Sequence, residues 1–170
     1  MKKDTKKYNK KLNLNRKVLI NLKLLKHSYT TVYYICVLLK KTGLRPIEVL
    51  EPNRWTIINK KYYSVKLAKN NGLRHVNQKL IPDYIKYLYA LKPTLKSIYS
   101  LKTLNKYILQ NSIYTFRNGN KNIVSYIFRH NYIKRLKSKG LTNDRIQKKM
   151  KHSDIKNTLN YINSNIITID

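Results

Sequence analysis

The sequence predicts an α+β fold, which is a mainly helical domain with one small three-stranded antiparallel sheet. Most apolar residues fall in stretches with helical spacing, separated by Gly, Pro and residues that cap helices. One central region is instead rich in β-branched and aromatic residues. The chain has 170 residues, 42% of them hydrophobic, which is enough to enclose one ordinary core.

The sheet is predicted from three short strands at 55–58, 62–68 and 73–81. Between the second and third strands lies Asn70-Asn71-Gly72. Asn and Gly both accept positive φ, so this segment predicts a tight hairpin. The three strands are therefore expected to form an antiparallel meander.

Two helices are predicted ahead of the sheet. The first, at 29–41, is apolar enough to be buried, with Ser28 as its cap and Gly43 as its end. The second, at 46–50, begins at Pro46, because proline is tolerated in the first turn of a helix.

After the sheet the pattern is helical to the end of the chain. The predicted helices lie at 83–92, 100–110, 122–139, 142–151 and 153–163. Gly140 is expected to end the third of these, Thr142 to cap the fourth and Ser153 to cap the last.

The chain contains no internal repeat and no linker rich in Pro, Gly or Ser, so residues 28–170 are predicted to form one domain. Residues 1–27 are predicted to be a basic N-terminal arm, since they contain no signal-peptide core. The longest apolar run, 32–39, is far shorter than the roughly 20 residues of a membrane span. Within it, Cys36 is interpreted as a small buried hydrophobic residue.

These features predict a soluble intracellular protein with no membrane partner. No disulfide framework is possible with one cysteine, which is typical of a reducing compartment. The chain is rich in Lys, Asn, Ile and Tyr, all of which have AT-rich codons. This bias favours an organelle, plasmid or viral genome as its source.

The charge of the chain indicates a polyanionic partner. Lys and Arg number 37 and Asp and Glu only 7, which gives a formal net charge of +30. A charge this one-sided favours a nucleic-acid surface over a solvated basic face, with binding mostly through phosphates. The chain has no long helix with one cationic and one apolar face, which disfavours a membrane-surface protein.

Arginines in apolar surroundings are the first candidates for a phosphate site. On the predicted helix at 122–139, Tyr126, Arg129, His130 and Ile133 share one face. Arg45 lies in an equally apolar segment upstream. Acidic residues are too scarce to be obvious partners for two such arginines, so a phosphate is the more natural counter-ion.

Several short segments occur in a fixed order along the chain. They are Thr42-Gly43-Leu44-Arg45 with Glu48, then Lys69 before Asn70-Asn71-Gly72, Arg129-His130, Met150-Lys151-His152-Ser153, and Tyr161 nine residues after His152. In this order they resemble the catalytic domain of the tyrosine recombinase (phage integrase) family, over roughly residues 31–163. Each segment alone is a weak signal, but the ordered set is specific.

The resemblance implies a site-specific recombinase that cuts and rejoins double-stranded DNA. Tyr161 would be the nucleophile and would form a 3′-phosphotyrosyl intermediate. Arg45 and Arg129 would hold the non-bridging oxygens, Lys69 would protonate the leaving 5′-oxygen, and His152 would hydrogen-bond the scissile phosphate. No metal or other cofactor is implied, and the four histidines show no metal-ligand spacing.

The chain departs from the family pattern at two positions. Tyr126 stands where the family has the first histidine of His-x-x-Arg-His, and it can donate a hydrogen bond but cannot carry positive charge near neutral pH. Lys151 stands where the family has a glycine before its last histidine. A lysine there would either crowd a tight helix end or add a phosphate contact.

Two alternative functions remain compatible with the sequence. One is a catalytically degenerate recombinase-like protein that binds DNA without cutting it, which the residues at positions 126 and 151 favour. The other is a basic RNA-binding protein of the ribosomal type, which shares the charge but has no reason to keep the ordered segments. The resemblance further implies self-association on DNA. Residues 1–27 are too few for the family's N-terminal domain, so the chain is interpreted as a catalytic domain acting alone, as a fragment, or as a protein with a separate DNA-clamping partner.

Overall fold

The protein is represented by a computed structural model that describes residues 18–19, 22–69, 71–91, 97–111, 124–163 and 168–169. In chain order its elements are β1 (Val18–Leu19), α1 (Leu22–Ser28), α2 (Thr30–Thr42), α3 (Pro46–Leu50), β2 (Trp55–Ile57), β3 (Tyr62–Lys66), β4 (Leu73–Asn77), α4 (Asp83–Leu91), α5 (Leu101–Gln110), α6 (Ile127–Ser138), α7 (Asn143–Met150), α8 (Ile155–Ile162) and β5 (Thr168–Ile169). The described residues are mainly helical with one three-stranded antiparallel sheet, which confirms the predicted fold class.

The core is built around α2, which contains the longest apolar run of the sequence. Val32, Ile35, Cys36, Leu38 and Leu39 are all fully buried there, and α2 packs against α1, α4 and α6. Burial in this apolar setting raises the pKa of the Cys36 thiol. Cys36 is therefore the small buried hydrophobic residue that the sequence predicts.

The packed region begins earlier than the boundary expected at residue 28. Within the expected arm, 1–27, the helix α1 starts at Leu22, and it places Leu25 in the core. Ser28 is the last residue of α1 and does not cap α2, whose N-cap is Tyr29. The prediction of Ser28 as a cap was wrong because α1 continues almost directly into α2.

The turn after α2 is confirmed by its backbone geometry. Gly43 has φ +63° and its N–H donates to the carbonyl of Leu39 at 2.8 Å. Pro46 then occupies the first turn of α3, as predicted. This turn presents Arg45 between two helices.

The sheet has the order β2-β3-β4, with Ser64 opposite both Thr56 and His75. All three strands are shorter than predicted, and the third ends at Asn77 because residues 78–80 form a 3-10 turn. The loop between β3 and β4 is longer than a tight hairpin, since Leu67 donates its N–H to the carbonyl of Gly72 and leaves 68–71 between them. Asn71 has positive φ, as predicted, and Asn70 lies outside the described residues.

The C-terminal helices pack on one another around a second small cluster. Thr142 caps α7 by accepting a hydrogen bond from the Arg145 N–H, as predicted. The cap of α8 is Asp154 and not Ser153, since the Asp154 carboxylate accepts from the Lys156 N–H. Residues 124–126 form a 3-10 turn before α6, so this helix begins later than predicted.

A short parallel pair, β1 with β5, joins the two ends of the described chain, and the sequence did not predict it. None of the helices in the described residues is both long enough and apolar enough to cross a lipid bilayer.

Candidate active site

One cleft of about 540 Å³ collects residues from the loop after α2, the β3–β4 loop, α6 and α8. Five residues predicted for the site line this cleft, namely Arg45, Lys69, Tyr126, His152 and Tyr161. His130 lines it as well. Arg129 lies behind the Tyr161 ring, with its guanidinium carbon 5.7 Å from the ring centroid. Segments that are far apart in sequence therefore meet in one basic cleft.

Arg129 is the largest side chain that is almost completely buried, at 1% exposed. Its Nη1 donates to the carbonyl of Gly43 at 2.6 Å, and its Nη2 lies 2.9 Å from Nε2 of His152. Among the described residues no carboxylate forms an ion pair with it, and its buried Nε has no hydrogen-bond partner there. Burial lowers the pKa of Arg129 to about 10, so it still carries its charge at neutral pH.

His152 is held through both of its ring nitrogens. Nε2 faces Arg129, which can only donate, so Nε2 is the acceptor and the ring proton is on Nδ1. Nδ1 lies 2.8 Å from the hydroxyl oxygen of Thr158, which is fully buried. Burial, and then the charge of Arg129, lower the pKa of His152 to about 3. His152 is thus neutral and orients the Arg129 guanidinium.

Tyr161 lies between the two histidines. Its ring is stacked on His152 with centroids 5.4 Å apart and an interplanar angle of 11°. Its centroid is 4.4 Å from that of His130, whose pKa is lowered to about 4, first by burial and then by Lys134 and Arg129. The only ring that contacts both histidines and Arg129 within the described part of the chain is thus the tyrosine predicted to be the nucleophile.

Arg45 has an intramolecular partner that the scarcity of acids made unexpected. Its Nη1 forms an ion pair with Oε1 of Glu48 at 2.9 Å, and its backbone N–H donates to Oε2 at 2.7 Å. Glu48 is fully buried, and it also accepts from the N–H of Ala68 at 3.2 Å. Because Lys69 follows Ala68, one carboxylate links the turn of Arg45 to the loop of Lys69.

Arg74 on β4 is a site neighbour that the sequence did not single out. Its Nη2 donates to the carbonyl of Thr42 at 2.6 Å, next to the Gly43 carbonyl that Arg129 holds. Two guanidinium groups from different elements therefore fix consecutive carbonyls of the turn that leads to Arg45.

The two tyrosines of the α6 region lie in different places. Tyr126, at the N-cap of α6, lines the cleft, and burial raises its pKa, so it keeps its proton and can donate. Tyr132, a second tyrosine on the same helix, is buried in the C-terminal cluster. It lines a second cleft, together with Arg74 and Lys148, and not the one that holds Tyr161.

Three further residues of the site were missed. Thr158 lies on α8, three residues before Tyr161, and its hydroxyl oxygen is 2.8 Å from Nδ1 of His152. Asn157 and Asn160 line the cleft from the same helix. Their spacing from Tyr161 is the only sequence signal that could have found them. In the described residues, no three His, Cys, Asp or Glu side chains lie close enough together to hold a metal ion.

The stability of the domain is expected to fall as the pH is lowered from about 7 to about 5. His130 and His152 are buried, with pKa values lowered to about 4 and about 3. Histidines in an unfolded chain have a pKa near about 6.5, so below that pH only the unfolded state takes up protons. The stabilisation is complete above about pH 6.5 and is lost as the pH falls towards the folded pKa values, by on the order of 2 kcal/mol per histidine.

Urea denaturation at the two pH values measures this loss, and imidazole NMR signals identify the rings. Two rings that do not titrate between about pH 5 and pH 8 are expected. A midpoint near about 6.5 for His130 or His152 would contradict the buried neutral state of that ring.

Comparison with solved structures finds similarity to the integrase of transposon Tn1549. In complex with transposon right end DNA, that integrase is 18% identical, and the match covers 82% of this chain and 57% of that chain with a TM-score of 0.49. In complex with circular intermediate DNA, the identity is 20%, the coverage 82% and 58%, and the TM-score 0.46. This chain therefore spans less than two thirds of the length of those structures. No protein-family model and no curated protein matches the chain.

Proposed function

We propose that this chain is the catalytic domain of a tyrosine recombinase, which cuts and rejoins double-stranded DNA through a covalent tyrosine intermediate. The observation that carries the proposal is the meeting of Arg45, Lys69, His152 and Tyr161 in one cleft, with the buried Arg129 against the Tyr161 ring and His152. A tyrosine ringed by cations and neutral imidazoles suits attack on a phosphodiester.

In the proposed reaction the Tyr161 oxygen attacks the phosphorus and the bond from phosphorus to the 5′-oxygen breaks. The products are a 3′-phosphotyrosyl linkage and a free 5′-hydroxyl. A neutral imidazole can accept the phenolic proton, and we assign this part to His130, because it contacts the Tyr161 ring and the nitrogens of His152, the other neutral ring there, face Arg129 and Thr158. Lys69 supplies the proton for the leaving oxygen. A second 5′-hydroxyl reverses these steps, so the strand is rejoined without an external energy source.

Arg45 and Arg129 are proposed to neutralise the charge that develops on the non-bridging oxygens. Removing one such donor typically costs about 3 kcal/mol in the transition state. His152 has a different part here from the one the family resemblance implies. Both of its ring nitrogens are engaged by Arg129 and Thr158, so it acts on the phosphate through the orientation of Arg129.

The DNA is held mainly through its phosphates, in keeping with the net charge of +30. Tyr126 adds an uncharged donor to the cleft. We further propose that the chain self-associates on DNA and works with a separate DNA-clamping partner, as its resemblance to the tyrosine recombinase family implies.

A second candidate is a recombinase-like protein that binds DNA and does not cut it. The observation that favours it is the enclosure of Arg129, whose donors face the Gly43 carbonyl, the Met150 carbonyl and His152, with the Tyr161 ring alongside. A guanidinium whose Nη1 and Nη2 are both engaged in this way has less to offer a phosphate, unless DNA binding displaces these contacts.

The test is an adduct assay on nicked suicide substrates drawn from the DNA that surrounds the coding gene. The expected product is a protein–DNA adduct that resists SDS and disappears with protease. Tyr161→Phe should form none, because phenylalanine lacks the attacking oxygen, while Tyr132→Phe is the matched control and should keep the adduct.

Salt-sensitive DNA binding with no adduct on any substrate would favour the second candidate. A clear preference for structured RNA over DNA would favour the ribosomal-type alternative. An adduct that persists in Tyr161→Phe would reject this nucleophile.

A further inference from the structure

Lys151 has a backbone conformation that lysine rarely adopts. Its φ of 52° and ψ of 45° lie in the left-handed region, at the C-terminal end of α7. Its N–H donates to the Lys148 carbonyl at 3.2 Å, and the next N–H, of His152, donates to the Gln147 carbonyl at 3.1 Å. These two bonds form a Schellman motif, in which Lys151 occupies the position that glycine usually takes.

This motif positions a residue of the candidate active site. It turns the chain at the end of α7, so that His152 reaches Arg129. Glycine would make the same turn without the steric cost of a Cβ atom. The backbone therefore gives no reason for a lysine here, and the reason has to lie in its side chain.

The Lys151 side chain lies where two basic clefts adjoin. It lines the cleft that holds Tyr161 and also a second cleft of about 470 Å³. Basic residues of the second cleft include Arg74, Lys148 and Lys149. Among the described residues, Lys151 alone lines both clefts.

We propose that Lys151 binds the DNA phosphate next to the scissile one, where the strand passes from the candidate active site to the second cleft. The inference rests on the proposed function and adds a phosphate contact to that site. The left-handed strain is tolerated because it gives a cation at this junction. The second cleft continues the basic path, so the phosphates beyond Lys151 also meet positive charge.

Three substitutions separate the charge of Lys151 from its backbone strain. Lys151→Gly removes both, Lys151→Asn removes the charge but keeps a residue that tolerates the left-handed region, and Lys151→Arg keeps charge and strain. Lys106→Asn, an exposed position on α5 that lines neither cleft, is the control. A merely structural lysine would show no loss of DNA binding in the first two variants.

Thermal unfolding and DNA binding are measured on the same proteins, with binding in a Tyr161→Phe background so that no covalent product forms. Lys151→Gly is expected to raise the Tm by about 2–4 °C. Lys151→Gly and Lys151→Asn are both expected to weaken binding about tenfold on two unrelated duplexes and to reduce the slope of log K against log salt by about 0.9. Lys151→Arg should bind like the parent.

Unchanged affinity and salt slope in Lys151→Gly and Lys151→Asn would overturn the inference. An effect of equal size in the Lys106→Asn control would also overturn it, because the loss would then be one of general charge. The proposed function is judged separately, by the adduct that the chain with Tyr161 intact does or does not form. Loss of binding in the Lys151 variants without any adduct would keep the phosphate contact and reject the cleavage.

Discussion

Replacing Arg129 with lysine is expected to lower the rate of adduct formation by about 10²- to 10³-fold. Lysine keeps a positive charge, but a single ammonium cannot hold the Gly43 carbonyl, His152 and a phosphate oxygen at once. The loss of buried donors should also destabilise the domain by about 1–3 kcal/mol. The rate is measured with suicide substrates, and the stability by urea denaturation.

Arg135→Lys is the matched control, because Arg135 lies on the same helix, is exposed and donates to the Lys40 carbonyl. It should change stability by no more than about 0.5 kcal/mol and leave the adduct rate nearly intact. If Arg129→Lys kept the rate of the control, the several donors of the Arg129 guanidinium would have no part in the reaction beyond their charge. A rate loss fully explained by a smaller folded fraction would lead to the same conclusion.

Gly43→Ala is expected to destabilise the domain by about 2–5 kcal/mol, which is a large share of a typical folding free energy. Two costs add at this position. The backbone has φ +63°, and an added Cβ would lie 2.6 Å from Cγ of Tyr132 and 3.0 Å from its Cβ. Contact with atoms so near the Tyr132 backbone cannot be relieved by a simple ring rotation. Urea denaturation monitored by circular dichroism measures the loss.

Gly140→Ala separates these costs, since Gly140 also has positive φ, at +81°, but nothing lies within 4 Å of an added Cβ. It should cost only about 1 kcal/mol, from the backbone alone. Equal losses at the two glycines would mean that the Tyr132 contact is relieved at little cost. Because the Gly43 carbonyl accepts from Arg129, the Gly43 variant should also lose DNA cleavage in its remaining folded fraction.

Local chemistry accounts for what could be predicted. Gly43 and Thr142 mark helix ends through their own backbone and side-chain preferences, and both were confirmed. The residues around Tyr161 could also be predicted, because an ordered set of short segments indicated them. The structure brings those segments together, while their chemical roles stay predictions.

Contacts between distant segments account for what could not be predicted. Arg74 holds the Thr42 carbonyl from a strand 32 residues away, and no local pattern marks that pairing. Thr158 looks like any polar residue on a short helix until His152 lies against it. The cap at Asp154 was missed for a different reason, since Ser153 has an equally suitable side chain and only the backbone path decides between them.

Glu48 determines how far apart two cations of the cleft, Arg45 and Lys69, lie. Its two carboxylate oxygens accept from the backbone and guanidinium of Arg45 and from the N–H of Ala68, the residue before Lys69. A single buried side chain therefore links the turn of Arg45 to the residue before Lys69 and sets the separation between these two cations. Glu48→Asp shortens this side chain by one methylene and is therefore expected to change the distance between Arg45 and Lys69. The two cations would then no longer fit the same phosphate.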